Sequence, residues 1–226
     1  MIPETFDEAG FHIVPEVFSD AECYRLRRDL AESSLARSRA GARHVLSVPT
    51  IHKAALDSRL VSLATEALTV PAIPFRATLF DKSPGANWLV AWHQDKTLPM
   101  KVRFEAEGWG PWSIKEGIRH AQAPAEVLGQ IVALRIHLDP STAENGPLRV
   151  IPGSHRLGIL SEAGIASLAE RSAPATCVVP RGGTLLMKPL LVHASSKATS
   201  DIPRRVLHIE YASYLTLGPG REIAVG

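Results

Sequence analysis

The sequence predicts a mainly-β fold, a sandwich or jelly roll, preceded by helices. Three observations carry that reading. Apolar residues recur at helical spacing only in the first third of the chain. Short apolar runs rich in strand-forming residues follow it. Turn residues mark the gaps between those runs: Asn145-Gly146-Pro147, Pro152-Gly153-Ser154 and Arg181-Gly182-Gly183. A parallel α/β sheet would need strands and helices in alternation, and the two textures do not alternate here.

The elements follow in order. Ser19 and Glu22 form a capping-box pattern, and Cys23, Leu26 and Leu30 continue at helical spacing to about Glu32. A second helix is expected from about Lys53 to Leu68, with Leu56, Leu60, Leu63 and Ala67 on one face; Pro71 and Pro74 stop it. Strands are expected at Phe75 to Phe80, Trp88 to His93, Ile131 to Leu138, Leu148 to Ile151, Cys177 to Val179, Thr184 to Met187, Leu190 to His193 and Arg205 to Tyr211. The stretch from Thr97 to Leu128 has Trp109, Trp112 and several Gly or Pro breaks but little periodicity. It reads as a long loop inserted over the mouth of the barrel, its tryptophans serving equally as pocket walls or as core.

A length of 226 residues suits one domain. The expected organisation is a single domain over 1–226, with 1–72 as helical support and 73–215 as the β core that carries the insertion 97–128. Hydrophobic residues make up 45% and charged residues 21%, which excludes disordered and fibrous classes. The net charge is +2, and no basic stripe is interleaved with aromatics, so nucleic acid is not an expected partner. Arg25, Arg27 and Arg28 read as the solvated face of a helix. No apolar run approaches the ~18 residues of a membrane span, and the first residues lack a basic patch followed by an apolar core. The two cysteines, Cys23 and Cys177, are expected as buried, reduced thiols, and the expected location is the cytoplasm. A small molecule is the expected partner, to a monomer or homodimer.

With nine histidines in the chain, a lone one carries no argument. Trp92-His93-Gln94-Asp95, at the end of an expected strand, does. Residues two apart on a strand point the same way, so His93 and Asp95 can reach one metal ion. His193, ending another apolar run, is the best third ligand. Two imidazoles and a carboxylate on one face leave the other open, the set used by non-haem iron that binds a co-substrate and O2 together, although zinc accepts the same donors. Eleven residues on, Arg204 and Arg205 open an apolar strand. An oxo acid that chelates the metal leaves its far carboxylate to a planar bidentate donor, which suits arginine, and Ser195 can add a hydroxyl.

At this point the chain resembles the phytanoyl-CoA dioxygenase-like family of iron(II)- and 2-oxoglutarate-dependent oxygenases. Four stretches carry the resemblance: Phe80-Asp81-Lys82-Ser83-Pro84, Trp92-His93-Gln94-Asp95, NGPLRVIPGSH from Asn145 to His155, and His193-Ala194-Ser195 with Arg204-Arg205. It implies a double-stranded β-helix, cupin-like, with the N-terminal helices packed on the outside. It implies Fe(II) held by His93, Asp95 and His193, with 2-oxoglutarate and O2 as co-substrates. It also implies that a small organic substrate is hydroxylated or otherwise oxidised, with release of succinate and CO2. Arg204 would hold the distal carboxylate of 2-oxoglutarate, beside Ser195. Lys82 stands where family members often carry a lysine that contacts the co-substrate, and Gln94 either touches it or faces away. Arg135 replaces a tryptophan common in the family; pointing inward, it would meet a carboxylate of the co-substrate or an anionic substrate. His137 on the same strand reads as structural, and the Asn145 to His155 stretch as a scaffold hairpin. The carboxylate of Asp95 argues against halogenation, which needs that position freed. Two alternatives stand beside this reading: a cupin-type metal enzyme that does not use 2-oxoglutarate, which has no need of Arg204, and a non-catalytic small-molecule-binding barrel.

Overall fold

A computed structural model describes residues 2–33, 41–83 and 86–226. Pro84 of the first family-like stretch lies outside the described residues. Two antiparallel sheets form the core. The larger has six strands in the order β1 (Phe11–Val14), β11 (Thr184–Met187), β8 (Ile131–His137), β13 (Arg204–Ala212), β3 (Ile73–Lys82) and β2 (Gly41–Ala42). The smaller has four, in the order β10 (Ala175–Cys177), β9 (Leu148–Val150), β12 (His193–Ser195) and β4 (Val90–His93). Neighbours in space are distant in sequence, as in a jelly roll of the double-stranded β-helix kind. Two of the strands, β1 and β2, come from the N-terminal stretch that the sequence assigns to helices.

Helices α1 (Thr5–Ala9), α2 (Asp20–Glu32), α3 (Pro49–Ala55) and α4 (Ser58–Leu68) precede the long strands. α2 begins on the expected capping box: Ser19 Oγ accepts from the Glu22 amide, and the Ser19 amide donates to Glu22 Oε2. The long helix expected from Lys53 to Leu68 is instead two. Asp57 caps α4 by accepting from the Arg59 amide at 3.0 Å, an alternative to continued helix that a short acidic side chain offers its backbone. Leu56 falls in the break and is exposed, while Leu60, Ala64 and Ala67 form the buried face.

Period-two alternation then sorts the large sheet. Val132, Leu134 and Ile136 of β8, Leu207, Ile209 and Tyr211 of β13, and Ala77 and Leu79 of β3 join the buried cluster shared with α2, α3 and α4. The Tyr211 hydroxyl donates to the Ala55 carbonyl at 2.8 Å and ties the layers together. The other parity, Arg135, Arg204, His208, Glu210, Arg76, Thr78 and Phe80, faces the interior. Cys177, Val179, Leu148, Val150, Leu185 and Met187 fill the space near the smaller sheet. Both cysteines are buried and free, as expected.

The 97–128 stretch is not a loop. It is a three-stranded antiparallel sheet, β5 (Thr97–Met100), β7 (Ile118–Gln122) and β6 (Trp112–Lys115), followed by the short α5 (Ala125–Leu128). β6 and β7 meet at Glu116-Gly117, both at positive φ (50° and 81°), a two-residue hairpin turn. Glu-Gly is a weaker signal than Asn-Gly or Asp-Gly, and Pro99 interrupts the strand pattern of β5. Phe104 packs edge-on against Trp109 at 5.0 Å and Trp112 at 5.2 Å, so the tryptophans build an apolar cluster under this sheet and do not line the cavity. Helix α6 (Glu162–Arg171) packs near β4. Among the described residues, no helix is long and apolar enough to cross a membrane.

Candidate metal centre and co-substrate site

Strand register makes the centre. His193 on β12 pairs directly with His93 on β4, which sets their rings 4.1 Å apart. β4 ends at His93, and Asp95 lies just beyond it, its amide donating to the Pro189 carbonyl at 2.9 Å. The run expected to end in His193 forms its strand from His193 onward instead, because Leu191 is held in a turn by Lys188.

One donor atom from each of His93, Asp95 and His193 lies within 4.8 Å of the others. The Asp95 carboxylate stands 3.8 Å from His93 Nε2 and 3.6 Å from His193 Nε2. These gaps are too long for hydrogen bonds and suit a shared ion about 2 Å from each atom. The tautomers agree. Each Nδ1 lies 2.8 Å from a backbone carbonyl, Ala91 for His93 and Leu191 for His193, so Nδ1–H donates and Nε2 offers a lone pair. Burial lowers the His193 pKa to about 4, which keeps that lone pair free of a proton. For Asp95, burial pulls upward, but positive charge on His193 and His93 when protonated, then His208 and Arg76, outweighs it and holds the carboxyl well below its usual range. The donor set thus fits a divalent ion, with His193 buried and His93 partly open to solvent.

Beside it is a cationic pocket. Arg204, first residue of β13, faces inward and is buried. Its Nε donates to the Asn145 carbonyl at 3.3 Å and its Nη2 to Ser195 Oγ at 3.4 Å. Parity sends Arg205 to the other face, where it grips Asp139 at 2.6 and 3.0 Å. Arg135 also points inward. Its Nη1 donates to His208 Nδ1 at 3.0 Å, its guanidinium lies 5.0 Å from the Phe80 ring centre, and its Nε has no hydrogen-bond partner. Burial, with repulsion from Arg135, lowers Arg204 to about 9. Lys82 is buried behind Ser195, donating to Ser195 Oγ at 3.0 Å and to the Ser196 carbonyl at 2.6 Å. Burial and Arg204 lower it to about 8.

Gln94 takes no part in this arrangement. Its amide donates to the Gly158 and Leu190 carbonyls, both at 2.8 Å, and accepts from the Leu160 amide at 2.9 Å. Just past the end of β4, its side chain points away from those of its ligand neighbours and toward this backbone. His137 is buried with Nδ1 on the Arg135 carbonyl and is structural. The Asn145 to His155 stretch is no hairpin; it runs through β9, the middle of the smaller sheet, and its Asn145 and Gly146 carbonyls accept from Arg204 and Ser195. A side chain at Gly146 would stand 2.8 Å from Lys82 Nζ and 2.5 Å from the Ser196 carbonyl, so only glycine fits.

Sequence reading missed Arg43, His44, Arg76, Lys115, His120, His208 and Glu210, all of which line the cavity. Arg76 and Glu210 form a two-point ion pair across β3 and β13. Inward parity counted from Arg204 would have found His208 and Glu210; the others depend on segments that meet only in the fold.

The phytanoyl-CoA dioxygenase family model matches residues 6–206. The chain belongs to the phytanoyl-CoA dioxygenase family. An L-proline trans-4-hydroxylase from Streptomyces griseoviridis is 27% identical over 180 residues; the match takes in 67% of this chain and 59% of that protein's length. Two solved structures share the fold. EctD from S. alaskensis, crystallised with 2-oxoglutarate and 5-hydroxyectoine, superposes with a TM-score of 0.70 at 20% identity, over 92% of this chain and 74% of its own. AviO1 from Streptomyces viridochromogenes Tue57 superposes with a TM-score of 0.68 at 21% identity, over 92% of each chain.

Proposed function

We propose that this family member hydroxylates, or otherwise oxidises, a small organic molecule and converts 2-oxoglutarate to succinate and CO2. The convergence of three donor atoms on one point, two Nε2 lone pairs and a carboxylate, carries the reading. His93, Asp95 and His193 hold the iron. Bound there, Fe(II) supplies the activation of O2 that the side chains themselves cannot perform.

The chain's own contribution is orientation. Arg204 receives the distal carboxylate of 2-oxoglutarate through its planar fork, with the Ser195 hydroxyl beside it. Lys82 fixes that hydroxyl from behind and adds positive charge. Arg135 faces the same interior and is anchored by His208. Three buried cations with no carboxylate partner at ion-pair distance among the described residues form a receptor for a dianion. Thr97, Lys115 and His120 place the β5–β7–β6 sheet along one wall of the cavity, where it screens the reacting centre from water.

The test is succinate release and calorimetric titration of 2-oxoglutarate into iron-loaded protein under argon. Asp95→Ala is expected to lose metal affinity by at least ~10-fold, the low end for disturbing a metal's coordination sphere, and succinate formation with it. Wild-type protein that ignores 2-oxoglutarate at millimolar concentration would return the reading to a metal enzyme of another kind.

A further inference from the structure

The charge balance of the cavity points to the substrate. Five cations face it, Arg43, Arg76, Lys115, Arg135 and Arg204, against the two carboxylates of Asp95 and Glu210. A divalent ion and a dianionic co-substrate cancel each other, so the excess of positive charge survives when both are bound. Arg76 is satisfied by Glu210, and Arg43 is partly satisfied by Glu116 at 3.0 Å. Arg135 and Arg204 belong to the co-substrate end. Lys115 is left over. It sits at the end of β6, its Nζ donates to the Thr97 hydroxyl at 3.2 Å, and it forms no ion pair among the described residues. Burial and the neighbouring Arg76 and Arg43 weaken its hold on its proton, against the opposing pull of Asp95 and Glu210. An arriving anion would relieve that.

Two neutral imidazoles stand beside it. His44 has a left-handed backbone (φ 54°), a conformation that a non-glycine residue rarely adopts and that places its ring against the cavity. Both of its ring nitrogens are buried, one beside the Lys115 backbone and neither in a well-formed hydrogen bond. Its ring lies 5.8 Å from that of His120, whose Nδ1–H is engaged by the Ile118 carbonyl at 3.1 Å, leaving Nε2 as an acceptor. Burial lowers both, His120 to about 4, so at neutral pH they offer hydrogen bonds and not charge. An ammonium without an ion-pair partner among the described residues, next to buried ring nitrogens that lack well-formed hydrogen bonds, is an incomplete polar site.

We propose that this subsite under the β5–β7–β6 sheet binds a carboxylate of the substrate, with Lys115 supplying the charge and His44 and Arg43 completing the contact. The substrate is then a small carboxylic acid. The cavity of about 210 Å³ also has to take the ion and the co-substrate, so the room left beside Lys115 suits only a small molecule. This assignment rests on the oxygenase reading above.

The experiment is calorimetric titration of protein loaded with zinc(II), a redox-inactive ion, and saturated with 2-oxoglutarate. Benzoate, cyclohexanecarboxylate and L-proline are each titrated beside their own carboxamide. At least one carboxylate is expected to bind about 10-fold tighter than its amide, the scale of one charge-assisted contact. Lys115→Met is expected to erase that difference, and Lys115→Arg to retain most of it. A panel in which no carboxylate is preferred, or a Lys115→Met protein that keeps the preference, overturns the proposal. The 2-oxoglutarate affinity measured first separates the two readings. Wild-type protein that does not take the co-substrate defeats the oxygenase reading. Protein that takes it and shows no carboxylate preference defeats the substrate assignment alone.

Discussion

Replacing Arg204 by methionine is expected to make the ligand-free protein more stable while crippling its affinity for 2-oxoglutarate. Arg204 is buried, and its two hydrogen bonds, at 3.3 and 3.4 Å, are long. Burial and Arg135 move its pKa from 12.5 to about 9. That displacement corresponds to roughly 5 kcal/mol spent on keeping the charge in the folded chain. The folded pKa is below the unfolded one, so this loss is fully present below pH ~9 and eases as pH rises toward 12.5. Methionine keeps an unbranched stem and removes the charge. Two weak hydrogen bonds go with it, at about 1 kcal/mol each. A net gain of roughly 2 to 3 kcal/mol remains, which raises Tm by about 5 °C in a chain of this size. The same change removes the two charge-assisted bonds expected to the co-substrate, so its binding weakens by about 3 kcal/mol, some 10²-fold. Differential scanning calorimetry of metal-free protein reads the first effect and isothermal titration the second. A 2-oxoglutarate affinity within threefold of wild type would refute the placement of the distal carboxylate on Arg204. A lower Tm would show that the arginine is there to hold the barrel together.

Two further outcomes follow from the same geometry. Gln94→Leu should leave 2-oxoglutarate binding unchanged and lower stability by about 2 to 3 kcal/mol in urea unfolding, because three hydrogen bonds in a buried setting are lost together; a selective loss of co-substrate affinity would instead place it in the site. Lys82, lowered to about 8 by burial and Arg204, is mostly neutral at pH 9 in the free protein. An arriving dianion favours the charged forms of Lys82 and of Arg204, itself lowered to about 9, so binding at pH 9 should take up between one and two protons and binding at pH 7 almost none, measured by calorimetry in buffers of different ionisation enthalpy; equal proton uptake at both values counts against it.

Much of this protein is written in short stretches of its sequence. The Ser19–Glu22 cap, the same-side placement of His93 and Asp95, and the turns around Gly146 and Gly182 follow from backbone geometry over two to four residues, which no distant contact has to supply. Arg204 and His193 were legible because each stands at an apolar run whose burial is nearly obligatory. What the chain alone left open was settled by pairing at long range. Whether Arg204 or Arg205 turns inward is a matter of parity, and parity is set by β13 lying between β8 and β3, with Leu207, Ile209 and Tyr211 against the helices. The direct pairing of His193 with His93 depends on a register between strands a hundred residues apart. Gln94 turned out to be structural because it meets the Gly158, Leu160 and Leu190 backbone, which only the fold brings beside it. Lys115, His44 and Arg76 carry no local signature at all. They meet because the β5–β7–β6 sheet, the β2 edge and β3 close on one cavity, and an isolated charge in a sequence says nothing of which surface will be folded against it.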